Sequence, residues 1–156
     1  MNCLVVYYSC KGLTREVGES VSDLLQCDRE EIREKKTRTG LKGFLSCCID
    51  GLQKKRTEIE ETAKDPADYD LVVIGTPVWW MRLSPPVRSY LFRHRGRFKD
   101  VAFYVTQGFI GSDNACREME RITGKKPVET MEIDRRDRKD GEGIAKVKEF
   151  VEELRR

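Results

Sequence analysis

Residues 29 to 35 read REEIREK, one apolar residue among six charged ones, and the place of this stretch in the chain decides the architecture. Three other stretches are nearly continuous apolar runs: CLVVYY at 3 to 8, LVVIGT at 71 to 76 and VAFYVT at 101 to 106. Runs of that length, rich in valine and aromatics, read as strands buried on both faces, the mark of a parallel sheet held between helices. REEIREK and VETMEI (128 to 133) supply two further strands, and both are more polar. In a five-stranded parallel sheet of order 2-1-3-4-5 the second and fifth strands are edges, where polar residues are tolerated. In the order 3-2-1-4-5-6 the second strand is interior. The polar REEIREK therefore selects 2-1-3-4-5, a three-layer α/β sandwich with helices on both faces.

The segments between the strands carry helical patterns. Val17, Val21, Leu24 and Leu25 repeat at helical spacing after Thr14, and Leu41, Phe44, Leu45, Cys48, Ile49 and Leu52 form a complete apolar stripe. Ser84 followed by Pro85 and Pro86 is a helix start, because proline is tolerated in the first turn. Two more helices are predicted from Asn114 to Thr123 and from Gly143 to Leu154, the last with Ile144, Val147, Val151 and Leu154 on one side. A charged connector runs from Lys54 to Asp68, with no internal repeat and no low-complexity tract, so one domain is expected over residues 1–156.

Hydrophobic residues make up 38% and charged residues 37%, which predicts a folded and very soluble chain. No stretch reaches the roughly 18 apolar residues of a membrane span, and MNCLVVYYSCKG has no basic leader, so a cytoplasmic location is expected. The cysteines include no CxxC pair, and His94 is the only histidine, which argues against zinc. Cys3 reads as a small buried hydrophobe, and the adjacent Cys47 and Cys48 as reduced packing residues. A net charge of +3 is small for a nucleic-acid binder. Arg82 to Lys99 nevertheless holds five arginines and one lysine with no carboxylate, whereas IDRRDRKD (133 to 140) mixes both signs and reads as a solvated face.

In a sheet of this order ligands bind at the carboxyl ends of strands one and three. The residues there are SCKGLT (9 to 14) and TPVWWM (76 to 81). Backbone N–H groups at a helix start suit a phosphate, and the small hydroxylated residues of the first loop leave room for one. A phosphatase loop would need Cys-x5-Arg, but Arg15 follows Cys10 after only four residues and Glu16 takes the required place. A phosphate-accepting aspartate after the third strand is missing too, since Gly75 and Thr76 stand there. Trp79 and Trp80, the only tryptophans, offer a flat face for an aromatic ligand, with the alternative that one indole packs inward.

SCKGLT is similar to the flavodoxin phosphate loop, Ser/Thr-x-Ser/Thr-Gly-x-Thr, and YDLVVIGTPVWWMRLSPPVRSYL (69 to 91) resembles a long stretch common in flavodoxin-like proteins. The resemblance spans the chain and is of the short-chain type. It implies FMN as cofactor, with Ser9, Cys10, Lys11, Gly12, Leu13 and Thr14 around the phosphate. Thr76, Pro77, Val78, Trp79, Trp80 and Met81 would border the isoalloxazine, and TQGFIGSD (106 to 113) would supply the third loop through Thr106, Gln107, Gly108, Phe109 and Gly111. Lys11 and Leu13 stand where hydroxyl or asparagine side chains are usual, and Met81 replaces a common glycine. The function implied is electron transfer between redox proteins by a monomer or weak dimer, with no catalytic residue of its own. The alternative is an FMN oxidoreductase acting on a quinone, with NAD(P)H, or on a porphyrinogen. Arg82 beside the ring would favour the anionic reduced flavin, and the basic segment suggests partners with acidic docking surfaces.

Overall fold

The computed structural model describes residues 1–35, 56–107 and 110–156. Among the described residues five parallel strands form the sheet: β1 (Cys3–Tyr7), β2 (Asp28–Glu31), β3 (Leu71–Trp79), β5 (Asp100–Thr106) and β6 (Thr130–Ile133). Their order is β2-β1-β3-β5-β6, which is the predicted 2-1-3-4-5 with the polar strands at the edges. A sixth strand, β4 (Arg82–Leu83), folds back antiparallel on the end of β3 and was not anticipated.

Alternation along the central strands builds two cores. Leu4, Val6, Val72, Ile74 and Phe103 face one layer, which includes Val87 and Leu91 of α2 (Pro85–Arg93) and Met119 and Ile122 of α3 (Ser112–Thr123). Val5, Tyr7, Val73 and Tyr104 face the other, against Val17 and Val21 of α1 (Leu13–Leu25) and Val147 and Phe150 of α5 (Glu142–Leu154). Each fully buried aliphatic side chain in these layers stabilises the fold by about 1.5–3 kcal/mol.

Some boundaries differ from the sequence reading. β2 ends at Glu31, so REEIREK pairs only in its first residues, and Glu34 instead bridges Ile59. The connector from Lys54 to Asp68 is more than charge: Ile59 is buried in the core, Thr57 exchanges two hydrogen bonds with Ser89, and Glu30 accepts from the N–H groups of Ala63 and Lys64. IDRRDRKD is not a plain solvated face. It forms α4 (Arg135–Asp140), started by a capping box of Asp134 and Asp137. Asp137 is buried there with Lys146 at 2.7 Å, a partner that only the return of α5 brings within reach. The apolar stripe at 41 to 52, with Cys47 and Cys48, lies outside the described residues. Among the described residues no helix is long and apolar enough to cross a membrane.

Candidate functional site

The carboxyl ends of β1, β3 and β5 each lead into one of the three predicted loops. After β1, Gly12 adopts φ 96° and forms the N-cap of α1. That left-handed conformation is strained for any residue with a Cβ, which explains glycine here. Ser9 Oγ accepts the Gly12 N–H (3.1 Å) and shapes the turn. Among the described residues no side chain caps α1, which leaves its first-turn N–H groups, aided by the helix dipole, available to an acceptor. Cys10 and Lys11 are exposed, and Gly12 and Leu13 are half-buried.

Thr14 turns the other way. It is buried, its Oγ1 lies 2.7 Å from Thr106 Oγ1, and its carbonyl accepts from the buried Tyr104 hydroxyl at 2.9 Å. Two predicted site residues thus tie the first loop to the third, and neither hydroxyl lies on the surface.

β3 continues to Trp79, so the tryptophan pair is not wholly in a loop as the sequence suggested. Val78 pairs with Leu83 and Trp79 with Arg82, which leaves Trp80 and Met81 as a two-residue hairpin turn. Both have positive φ, 47° and 61°. Such turns match the strand twist, but they favour Asn and Gly, and two large side chains there store strain. The indoles divide: Trp79 packs edge-on against Tyr8, with ring centroids 5.6 Å apart, while Trp80 is 61% exposed. Beneath them the buried Thr76 hydroxyl donates to the Pro77 carbonyl and lies 2.9 Å from Ser84 Oγ, at the start of α2.

On the third loop, Gly111 is the N-cap of α3 with φ 117°, and a Cβ there would fall 2.4 Å from the Met81 Cα. The second and third loops therefore meet backbone to backbone. Gln107 is buried; its Oε1 accepts the Ser112 N–H (3.0 Å) and its amide donates to Glu132, which also accepts from the Ser112 hydroxyl. A recess of about 390 Å³ opens between Met81, Gln107, Ser112, Arg117 and Glu132. Gly108 and Phe109 lie outside the described residues.

A family model described as Flavodoxin matches residues 2–134. The chain belongs to the flavodoxin family. Among solved structures, a flavoprotein of Lactobacillus acidophilus in complex with FMN is similar at 20% identity and TM-score 0.69, over 90% of this chain and 97% of its own. A Bacteroides uniformis protein described as a flavoprotein is similar at 22% identity and TM-score 0.77, over 97% of each chain. Two-electron reduced flavodoxin of Megasphaera elsdenii is similar at 17% identity and TM-score 0.57, over 96% of this chain and 97% of its own. At these identities the likeness concerns the fold. Comparison with curated proteins finds no match.

In this flavodoxin-family chain most of the basic segment stays on the surface, with Arg93, Arg95, Arg97 and Lys99 exposed, and Arg88 is the exception. Arg88 is buried in an ion pair with Glu118, Arg93 donates to the Ile59 and Glu60 carbonyls, Arg97 pairs with Asp65, and Lys99 lies 3.6 Å from Asp70. Only Arg82, half-buried on the hairpin, adjoins the exposed turn. Sequence reading missed Glu132, although its position at the carboxyl end of an edge strand, on the outward half of the alternation, was a usable signal. It also missed Tyr8 and Tyr104, which act through residues far along the chain.

Proposed function

We propose that the protein binds FMN as one flavodoxin domain and carries electrons between redox proteins in the cytoplasm, as a monomer or weak dimer. The observation that carries this reading is the convergence, on one edge of the sheet, of an uncapped helix start and an exposed aromatic hairpin. The fit is chemical as well as topological: the first turn of α1 offers N–H donors to a phosphate, and Gly12 has open space around its Cβ position. Ser9, Gly12 and Leu13 would hold the phosphate, while Thr14 and Thr106 brace the loop from within. Pro77 to Met81, with Gln107 and Gly111, would border the ring, and Trp80 is the indole free to stack on it.

Bound FMN supplies the electron transfer itself. The chain supplies position and access. Trp80, Met81 and Ile110 are 61%, 46% and 63% exposed, so the turn and the third loop present an apolar rim to a docking protein. Arg82 beside that rim favours a partner with an acidic surface, and association should weaken as salt screens the pair.

The test is the visible spectrum of the purified protein before and after incubation with FMN, followed by removal of free flavin. A flavin spectrum with stoichiometric release of FMN on denaturation is expected; a colourless protein after reconstitution would sink the proposal. Turnover of NAD(P)H with a quinone by the protein alone would replace the carrier by an oxidoreductase.

A further inference from the structure

At the edge of the sheet opposite the candidate site, two cysteines meet. Leu4 of β1 pairs in parallel with Asp28 of β2, which brings Cys3 and Cys27, the residue just ahead of β2, next to each other. Both belong to the apolar layer under α1, Cys3 within it and Cys27 packed against it. Neighbouring parallel strands sit roughly 4.8 Å apart, inside the roughly 4.4–6.8 Å range of Cα separations that a disulfide spans. Cys3 is 4% exposed, whereas Cys27 is half-buried and within reach of a small solute, and both are free thiols.

We propose that Cys3 and Cys27 are a redox pair that closes into a reversible disulfide when the protein meets hydrogen peroxide. The Cys27 thiolate attacks one peroxide oxygen, the O–O bond breaks, and the departing hydroxide takes up a proton as water. Cys27 is left as the sulfenic acid. The Cys3 sulfur then attacks the Cys27 sulfur, and the sulfenic oxygen leaves as water with the Cys3 proton. Two thiols lose two electrons and two protons, and one peroxide becomes two waters.

The division of roles follows from the contact. The neighbouring Cys3 thiol lowers the Cys27 thiol below its ordinary value, against burial and Asp28, which act the other way. The same contact and burial push Cys3 up, so it keeps its proton until Cys27 has reacted. Cys116, by contrast, is pushed up to about 11 by burial and is poorly reactive. The bridge would close residues 3 to 27, with the first loop and α1, into one covalent ring, while the bond itself would lie at the end of the strands away from the candidate site. Oxidation should therefore stabilise the fold without changing the site, independently of the flavin assignment.

The experiment treats the purified, reduced full-length protein with hydrogen peroxide, alkylates remaining thiols, and maps peptides by mass spectrometry. A Cys3–Cys27 bridge is expected, with a thermal midpoint raised by roughly 5–10 °C that dithiothreitol reverses. Cys27→Ser should abolish the reversible rise, while a variant with Cys10, Cys47, Cys48 and Cys116 all replaced by Ser should retain it. Failure of the pair to react overturns the proposal, as does Cys27 carried to the sulfinic acid with Cys3 still alkylated, or bridging to another cysteine. A bridge without a higher midpoint would overturn the stapling role.

Discussion

Arg88, buried in α2, grips Glu118 of α3 with two nitrogens, at 2.8 and 3.3 Å, and the nitrogen at the longer distance also donates to the Leu83 carbonyl of β4 at 2.9 Å. One side chain thus fastens the hairpin of the second loop to the helix that follows the third. Removing one partner strands a charge in the interior. Arg88→Met or Glu118→Gln should lower stability by about 3 kcal/mol, and Arg88→Met combined with Glu118→Leu should recover most of that loss. Urea unfolding of the three variants measures it.

Met81 holds φ 61° at the hairpin tip with 46% of its surface exposed, so it has little packing to lose. Met81→Gly should raise stability by about 1 kcal/mol, while the β-branched Met81→Val should lower it by a similar amount. Equal midpoints for the two variants in chemical denaturation would show that the turn carries no strain.

Gly12 and Gly111 both have positive φ, but their surroundings differ: nothing lies within 4 Å of a Cβ at Gly12, while one at Gly111 would meet the Met81 backbone at 2.4 Å. Gly12→Ala should cost only the conformational strain, about 1 kcal/mol, and Gly111→Ala clearly more, because backbone must move. Thermal unfolding of the two alanine variants should therefore rank Gly111→Ala below Gly12→Ala.

His94 gives stability a pH dependence. Burial, with help from Arg93 and Arg97, lowers its pKa below the ordinary value, while Asp65 pulls the other way. A depressed histidine contributes stability that is present above the unfolded value of about 6.5 and is lost as pH falls through the folded value. Denaturant midpoints should fall between pH 7 and pH 5, and His94→Gln should flatten that slope.

Arg82 tests the electrostatics of the reading as an FMN protein. A cation on the hairpin favours the anionic reduced flavin by on the order of 1 kcal/mol, so Arg82→Gln should lower the second reduction potential by tens of millivolts. Spectroelectrochemical titration reads the shift, and raised salt should shrink it.

What was legible in the sequence was local. Apolar runs show which strands are buried on both faces, and the charges of β2 place it at an edge, because an edge strand can keep its side chains in water. The proline pair starts α2 where expected, and the two clearest candidate loops fall at the ends of β1 and β3 by topology alone. Each of these inferences needs only a residue and its near neighbours in sequence.

The rest depended on partners far along the chain. Thr14 reads as a surface ligand until Thr106, 92 residues away, accepts or donates at its hydroxyl. Arg88 reads as one more charge of the basic segment until Glu118 arrives, and Asp137 as part of a solvated face until Lys146 does. A polar side chain tolerates burial only when its own partner is brought to it, and that meeting is made by strand order and helix packing. The sequence alone determined the layers, the edges and the two clearest loops; which side chains face outward at those loops was decided by the tertiary structure, because only the folded chain sets the partners that turn them inward.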